Sequence, residues 1–349
     1  MIIAEALKVL ITTIVAFLLA LFISPFVYRL IVGLKFKKQI RVSREAPIFS
    51  KLHKGKEGTP TMGGIIIWGT VLILAVVFLV LHYFLDSFWD YANFLDRSQT
   101  YLPLAFFFVA ALFGLFDDLM GVRRIGPNGG GLHMRHKIIG YIVLSALGAW
   151  WFTVKLGWSS IHIPFLGVYN IGWWYIPIFM FVVFASAFSA NETDGLDGLL
   201  GGVSLFAFGA LTVVSFASGL YNLAALNGAI AGALLAFLWF NIYPAKFFMG
   251  DTGAMALGVM LGITTMLTNT AFLLPFFGVI LVIESVSVII QLFSKKVFKR
   301  KVFLSTPIHH HFEALGWPES QVTMRFWIIS IVFTGLGLVI FFADKIFFR

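Results

Sequence analysis

Five aspartates stand out in a chain of 349 residues that holds only 16 acids: Asp117, Asp118, Asp194, Asp197 and Asp251. Each falls at the edge of a long apolar run, where a carboxylate is costly unless it pairs, reaches water or binds an ion. Asp117 and Asp118 are consecutive in FGLFDDLMG (113–121). On a helix their side chains diverge by roughly 100°, too far to share a proton. That arrangement suits two separate jobs, one a metal ligand and the other a base or orienting group. They also close a helix, where the macrodipole disfavours anions, which argues against a purely structural use.

The segment NIYPAKFFMGDTGAMALG (241–258) sets Asp251 and Thr252 between Gly250 and Gly253, after Pro244 has ended a preceding helix. This tight turn opens onto a helix N-terminus, a natural phosphate site. An Asp there repels phosphate unless a cation lies between them. Mg²⁺ or Mn²⁺ fits, because such ions take carboxylate oxygen, water and substrate phosphate together. The absence of cysteine excludes disulfides, iron–sulfur clusters and Cys-ligated zinc. NETDGLDGL (191–199) adds Asn191 and Asp194 as short polar groups among glycines. The competing reading is that each Asp caps a helix or pairs with a Lys, and Asp197 is well placed to cap the run that follows it.

Three further groups are notable. PIHHHFE (307–313) holds three adjacent histidines. Their side chains diverge, so they cannot all ligate one ion. The expectation is that His310 and His311 donate to substrate phosphate or sugar while His309 holds the loop, with Pro307 and Phe312 fixing the segment. KLHKGKEGTPTMGG (51–64) carries Lys51, His53, Lys54 and Lys56 before a TPTMGG turn more specific than a charge run. Glu284 lies inside an apolar run with Ser287 and Gln291 on the same helical face, either a functional group or a polar contact between helices.

The elements that must position these residues follow from composition. The chain is 60% hydrophobic and 12% charged, against about 25% charged for a soluble protein. Apolar runs of about 20 residues recur, each able to cross a hydrocarbon core of ~30 Å as a helix. In lipid the backbone must satisfy itself, so helices are the expected form. The fold class is therefore an all-α polytopic integral membrane protein. It forms one transmembrane catalytic domain over 1–349, with no polar stretch long enough for a separate soluble domain. Ten spans are expected, near 8–31, 61–85, 100–117, 138–156, 174–190, 199–219, 223–242, 254–270, 272–293 and 325–343. The first is too long to read as a removable signal peptide.

Twenty of the 25 Lys and Arg fall in or beside the loops 32–60, 118–137, 191–198, 243–253 and 294–324. That bias assigns these loops to the cytoplasm and both termini to the outside. It also explains the net charge of +9 without nucleic acid, since basic loops face anionic lipid. The outer segment 157–173 alternates apolar and polar residues around Pro164 and Gly167, which predicts a small periplasmic β-hairpin with Trp158, Trp173 and Trp174 at the lipid interface.

Taken in order, GTPTMGG (58–64), FDDLMG (116–121), the NxTDGLDGL pattern (191–199), NxxPAKxFMGDTG (241–253) and PIHHHFE (307–313) resemble the phospho-N-acetylmuramoyl-pentapeptide-transferases of bacterial cell-wall synthesis. The resemblance runs over nearly the whole chain. PIHHHFE singles out this branch of the polyprenyl-phosphate sugar-1-phosphate transferases. It implies a Mg²⁺-dependent reaction of UDP-MurNAc-pentapeptide with undecaprenyl phosphate, giving lipid I and UMP. It also implies ten helices with the ninth bent, a homodimer, and a place in the bacterial cytoplasmic membrane with the active site on the cytoplasmic face.

By the same resemblance Asp251 is the metal-binding Asp. Asp117 contacts or deprotonates the lipid phosphate and shares in metal binding, and Asp118 supports it or the metal. Lys56, Asn191, Asp194, Gly195, Leu196 and Asp197 border the nucleoside pocket, Phe248 stacks on uracil, Lys137 approaches the phosphates, and Thr61 and Asn241 complete the substrate-binding set. Glu192, Ala254, Tyr141 and the glycine-rich 126–136 depart from the usual pattern while leaving the core acids intact. Two rivals remain: a related transferase using UDP-GlcNAc, and an ion-coupled transporter. A transporter would hold key charges at mid-depth in several spans, and here Glu284 alone is placed so.

Overall fold

A computed structural model describes residues 2–36, 56, 58–85, 88–126 and 130–348. Most of the basic loop at 32–60, including Lys51, His53 and Lys54, lies outside the described residues. The helices in chain order are α1 (Ile2–Gly33), α2 (Ile65–Phe84), α3 (Tyr101–Val122), α4 (Met134–Trp150), α5 (Tyr175–Thr193), α6 (Leu199–Ala217), α7 (Tyr221–Asn241), α8 (Asp251–Leu267), α9 (Val279–Val297), α10 (Ile308–Ala314) and α11 (Glu319–Phe347). Short helical pieces at Phe88–Ala92 and Leu274–Phe277 and a wide turn at Trp151–Lys155 fill the connections.

Eight of these helices are long and apolar enough to cross a membrane. The pair Ala271–Phe277 and Val279–Val297 makes a ninth if it counts as one span, and it is bent by 89°. The remaining expected span, the eighth near 254–270, is α8, with 17 residues, roughly 26 Å at 1.5 Å per residue. The chain is a multi-pass membrane protein. Its ten apolar segments are helical, though two are less simple than the pattern of runs implied.

Packing explains why α8 can be short. All of its residues from Thr252 to Leu267 are buried, so protein rather than lipid surrounds it. It lies between α3 and α5, while α7 packs along α1 and α6. By contrast α1 and α11 expose Leu10, Ile14, Phe22, Ile328, Val332 and Val339, as helices facing hydrocarbon should. The turn Thr268–Asn269–Thr270 does break the long apolar run, with Asn269 in the left-handed region at φ 54°.

The predicted hairpin is present. β1 (Ser160–Ile163) pairs antiparallel with β2 (Gly167–Asn170), with Ser160 opposite Asn170 and Ile163 opposite Gly167. Asn269 accepts the His162 N–H at 2.9 Å and Asp344 accepts the Phe165 N–H at 2.6 Å. These contacts fix the hairpin at the end of α8 remote from Asp251. Trp173 and Trp174 are exposed as expected. Trp158 is half-buried, its ring centroid 5.5 Å from that of Phe152 in an edge contact.

Candidate active site

The N-terminus of α8 organises the site. Gly250, at φ 75°, turns the chain into the helix, and Asp251 is its first residue. The α3 backbone passes so close at Gly114 that a Cβ there would collide with the Asp251 carbonyl. That approach brings the last turns of α3, with both of its acids, onto the α8 N-terminus. Thr252 locks the crossing: its hydroxyl donates to the Ala111 carbonyl at 2.8 Å and accepts from the Trp68 indole at 3.1 Å.

Asp117 and Asp118 diverge as their spacing requires. Asp118 accepts the backbone N–H of Asp251 at 3.2 Å and of Thr252 at 3.0 Å. It therefore caps α8 from another helix, where the macrodipole favours an anion. Asp117 is buried and turns the other way. Its Oδ2 lies 2.6 Å from Lys137 Nζ, and its Oδ1 accepts the Leu132 N–H. Lys137 also donates to Asp251 Oδ2, and the Asn191 amide donates to Asp251 Oδ1 at 2.9 Å. Four sequence-predicted residues, Asp117, Lys137, Asn191 and Asp251, thus form one cluster drawn from four helices or their ends.

No group of three or more His, Asp or Glu stands at metal-binding spacing among the described residues. The donor set here is two carboxylates directed at one point, with Lys137 between them. Two hard oxygen donors of this kind fit a divalent cation that completes its shell with water and substrate oxygen.

A second cluster lies along the loop that follows Asn191. Lys56 Nζ is 2.6 Å from Asp197 Oδ1 and also contacts Glu319. It stands 5.6 Å from the centre of the Phe248 ring, near enough for a cation–π contact. The Asp197 carboxylate does not cap α6. Its other oxygen accepts the Ala245 N–H at 3.0 Å, while the Gly198 N–H goes to the Asn241 side chain at 3.0 Å. Asn241 is buried, and its amide donates to the Phe247 carbonyl at 2.8 Å, so both ends of that side chain tie one loop to another. Leu196 and Thr61 are buried beside these groups, and the Thr61 hydroxyl faces the Gly250 turn. Asp194 is half-buried just after α5.

The histidines fall on α10 rather than in a loop. His309 is wholly buried, its Nδ1 3.0 Å from Glu284 Oε2 but out of line for a hydrogen bond. Its backbone N–H points at the same oxygen from 3.4 Å. The ring presses against Gly195, where a Cβ would strike it. Glu284 is thereby a contact between helices that also seats the histidine segment. His310 pairs with Glu313 at 2.6 Å, and His311 Nδ1 accepts the Leu304 N–H at 3.2 Å. Each histidine thus has a neighbour within the fold: Glu284 for His309, Glu313 for His310 and the Leu304 N–H for His311.

Sequence reasoning missed Glu319, Glu313, Trp68 and the Leu132 N–H. Glu319, the first residue of α11 after Pro318, reads locally as an ordinary acidic first turn. Only tertiary contact gives it to Lys56.

The chain is similar in sequence to known proteins over nearly its whole length. The glycosyl transferase family 4 model matches residues 100–269, a stretch that includes Asp117, Lys137, Asn191 and Asp251. A signature described for phospho-N-acetylmuramoyl-pentapeptide-transferase matches residues 56–67, which include Lys56 and Thr61. Curated proteins of that name are similar over most of their length. The one from Geobacillus kaustophilus is 38% identical over 331 residues, 93% of this chain and 95% of the relative. That from Geobacillus thermodenitrificans is 36% identical over 328 residues, again 93% and 95%. A Borrelia turicatae relative is 36% identical over 347 residues, 93% of both.

Proposed function

Because the chain belongs to the phospho-N-acetylmuramoyl-pentapeptide-transferase family, we propose that it transfers phospho-MurNAc-pentapeptide from UDP-MurNAc-pentapeptide to undecaprenyl phosphate, giving lipid I and UMP for peptidoglycan synthesis. The supporting observation is the pairing of two clusters through one loop. Lys56 and Phe248 offer a cation and a ring face for the nucleoside end. Asp117, Lys137 and Asp251 offer an acid–ammonium centre for the phosphates. The loop from Asn191 to Gly198 joins them, so a nucleotide sugar lying along it reaches both.

Roles follow from chemistry. Phosphoryl transfer depends on positioning and charge neutralisation more than on covalent help. The lipid phosphate is already anionic near neutral pH, so Asp117 needs only to orient it or remove a residual proton. The phosphate oxygen attacks the sugar-linked phosphorus, the bond to the uridylyl phosphate breaks, and UMP leaves with the electron pair. Lys137 meets the charge that develops on the departing phosphate, and Asp118 keeps Asp251 in place through the α8 N-terminus. Mg²⁺, held by Asp251 and Asp117, with Mn²⁺ as a substitute, would neutralise the diphosphate. The protein sits in the bacterial cytoplasmic membrane with these clusters on the cytoplasmic face and both termini outside, and it works as a homodimer.

The test is UMP release by purified protein given UDP-MurNAc-pentapeptide or UDP-GlcNAc, each with undecaprenyl phosphate, with and without Mg²⁺. Release from the first alone, and only with the metal, is expected. Release from UDP-GlcNAc alone would transfer the proposal to a related transferase, and substrate transport without UMP release would transfer it to a transporter.

A further inference from the structure

We propose that Lys137 is a resident counter-cation that competes with the divalent ion for Asp117 and Asp251, so that metal binds together with the nucleotide sugar rather than before it. The inference rests on the cation reading given above.

Asp117 Oδ1 accepts the Leu132 N–H and its Oδ2 faces Lys137. Asp251 Oδ1 accepts the Asn191 amide and its Oδ2 accepts Lys137. Asp117 Oδ2 and Asp251 Oδ2 both contact the Lys137 ammonium, so an ion that bridges these two oxygens must take its place. The Leu132 N–H belongs to the backbone, and the Asn191 amide is carried on a short side chain in the last turn of α5. The Lys137 ammonium rides on a flexible four-carbon stem. It is also the partner that occupies the two oxygens facing each other, which are those a bridging ion needs.

Charge makes the exchange depend on substrate. A divalent ion placed between the acids while Lys137 remains would face an ammonium at close range in a buried site, where repulsion is poorly screened. A diphosphate brings its own anionic oxygens. The ammonium can turn to these, leaving the acids for the metal. Metal and nucleotide then favour each other's binding, and the coupling is reciprocal. Without substrate, Lys137 offsets part of the charge of the two carboxylates and holds them together.

The experiment measures Mn²⁺ affinity of the purified protein by electron paramagnetic resonance, with and without UDP-MurNAc-pentapeptide, for wild type and Lys137→Met. Wild type is expected to bind Mn²⁺ weakly alone and at least about tenfold more tightly with the nucleotide. Lys137→Met should bind Mn²⁺ alone at least about tenfold more tightly than wild type, with little further gain from nucleotide. Equal or weaker Mn²⁺ binding by the variant overturns the proposal. If Lys137→Met fails to fold, Lys137→Gln replaces it, and the wild-type comparison decides independently: Mn²⁺ bound equally well with and without nucleotide also overturns it. No saturable Mn²⁺ binding by either protein in any condition removes the cation reading itself, a result distinct from binding that is merely indifferent to Lys137.

Discussion

Asp118 offers the sharpest separation of positioning from chemistry. It touches the α8 backbone through both oxygens, at 3.2 Å to Asp251 N and 3.0 Å to Thr252 N, and it is the charged cap of the helix that carries Asp251. In Asp118→Asn one oxygen remains, while the new NH₂ group faces an N–H donor it cannot satisfy. One hydrogen bond to a charged group contributes about 1.5–3 kcal/mol, and the lost interaction with the helix dipole adds about 0.3–1 kcal/mol. A destabilisation of about 2–3 kcal/mol is expected, within the range of lost caps and broken buried networks. If a loss near the lower end of that range also reaches Asp251 in the transition state, turnover falls roughly 30-fold at about 1.4 kcal/mol per decade. The assay pairs the apparent melting midpoint in detergent with the rate of UMP release. Stability and rate should fall together. A variant that melts like wild type yet is inactive would refute the reasoning, because Asp118 would then act on substrate rather than through α8.

Other consequences can be checked in the same preparation. Glu319→Gln removes one of the two carboxylates on Lys56; KM for the nucleotide sugar should rise about tenfold with kcat little changed, and an unaltered KM would detach this cluster from the nucleoside. Gly195→Ala places a methyl against the buried His309 ring; a loss of about 1–3 kcal/mol is expected from overpacking, and a wild-type melting midpoint would contradict the close approach. Burial pulls the His309 imidazolium down, but the Glu284 carboxylate, with Glu313 and Glu192, outweighs it and holds the pKa above the ordinary histidine value. Such a group adds stability that is complete below the unfolded imidazole value and lost as pH rises through the raised one. The wild-type melting midpoint should therefore decline above about pH 6.5, and the same slope in Glu284→Gln would exclude this pair as its source.

Much of the architecture was legible because lipid leaves few choices. Runs of apolar residues had to be helices, and the alternation around Pro164 and Gly167 gave the hairpin its strands. What was not legible was how each helix is surrounded. The sequence shows α8 as one more apolar run. Only its enclosure by α3 and α5 explains why 17 residues suffice there. The bend at Gly278 leaves no mark in hydropathy, since both sides are equally apolar. Nor does the alternation name the neighbour of Trp158, whose ring makes an edge contact with Phe152.

For the site, residue types were readable and partnerships were not. Local rules found the anomaly at Asp117 and Asp118: two anions at the wrong end of a helix. They could not find what offsets it. The relief comes from the N-terminus of α8, over 130 residues away for the Asp118–Thr252 bond (separation 134), and from Lys137 at the start of α4. The same limit explains Asp197. Its position before α6 satisfies every local criterion for a cap, but Asn241 from α7 takes the Gly198 N–H and leaves Asp197 to hold Lys56 and the Ala245 N–H. A charge whose partners lie far away in sequence marks a place where distant segments must meet. In this chain three such places, at Asp117–Asp118, Asp197 and Glu284, define the two clusters and the histidine helix packed against them.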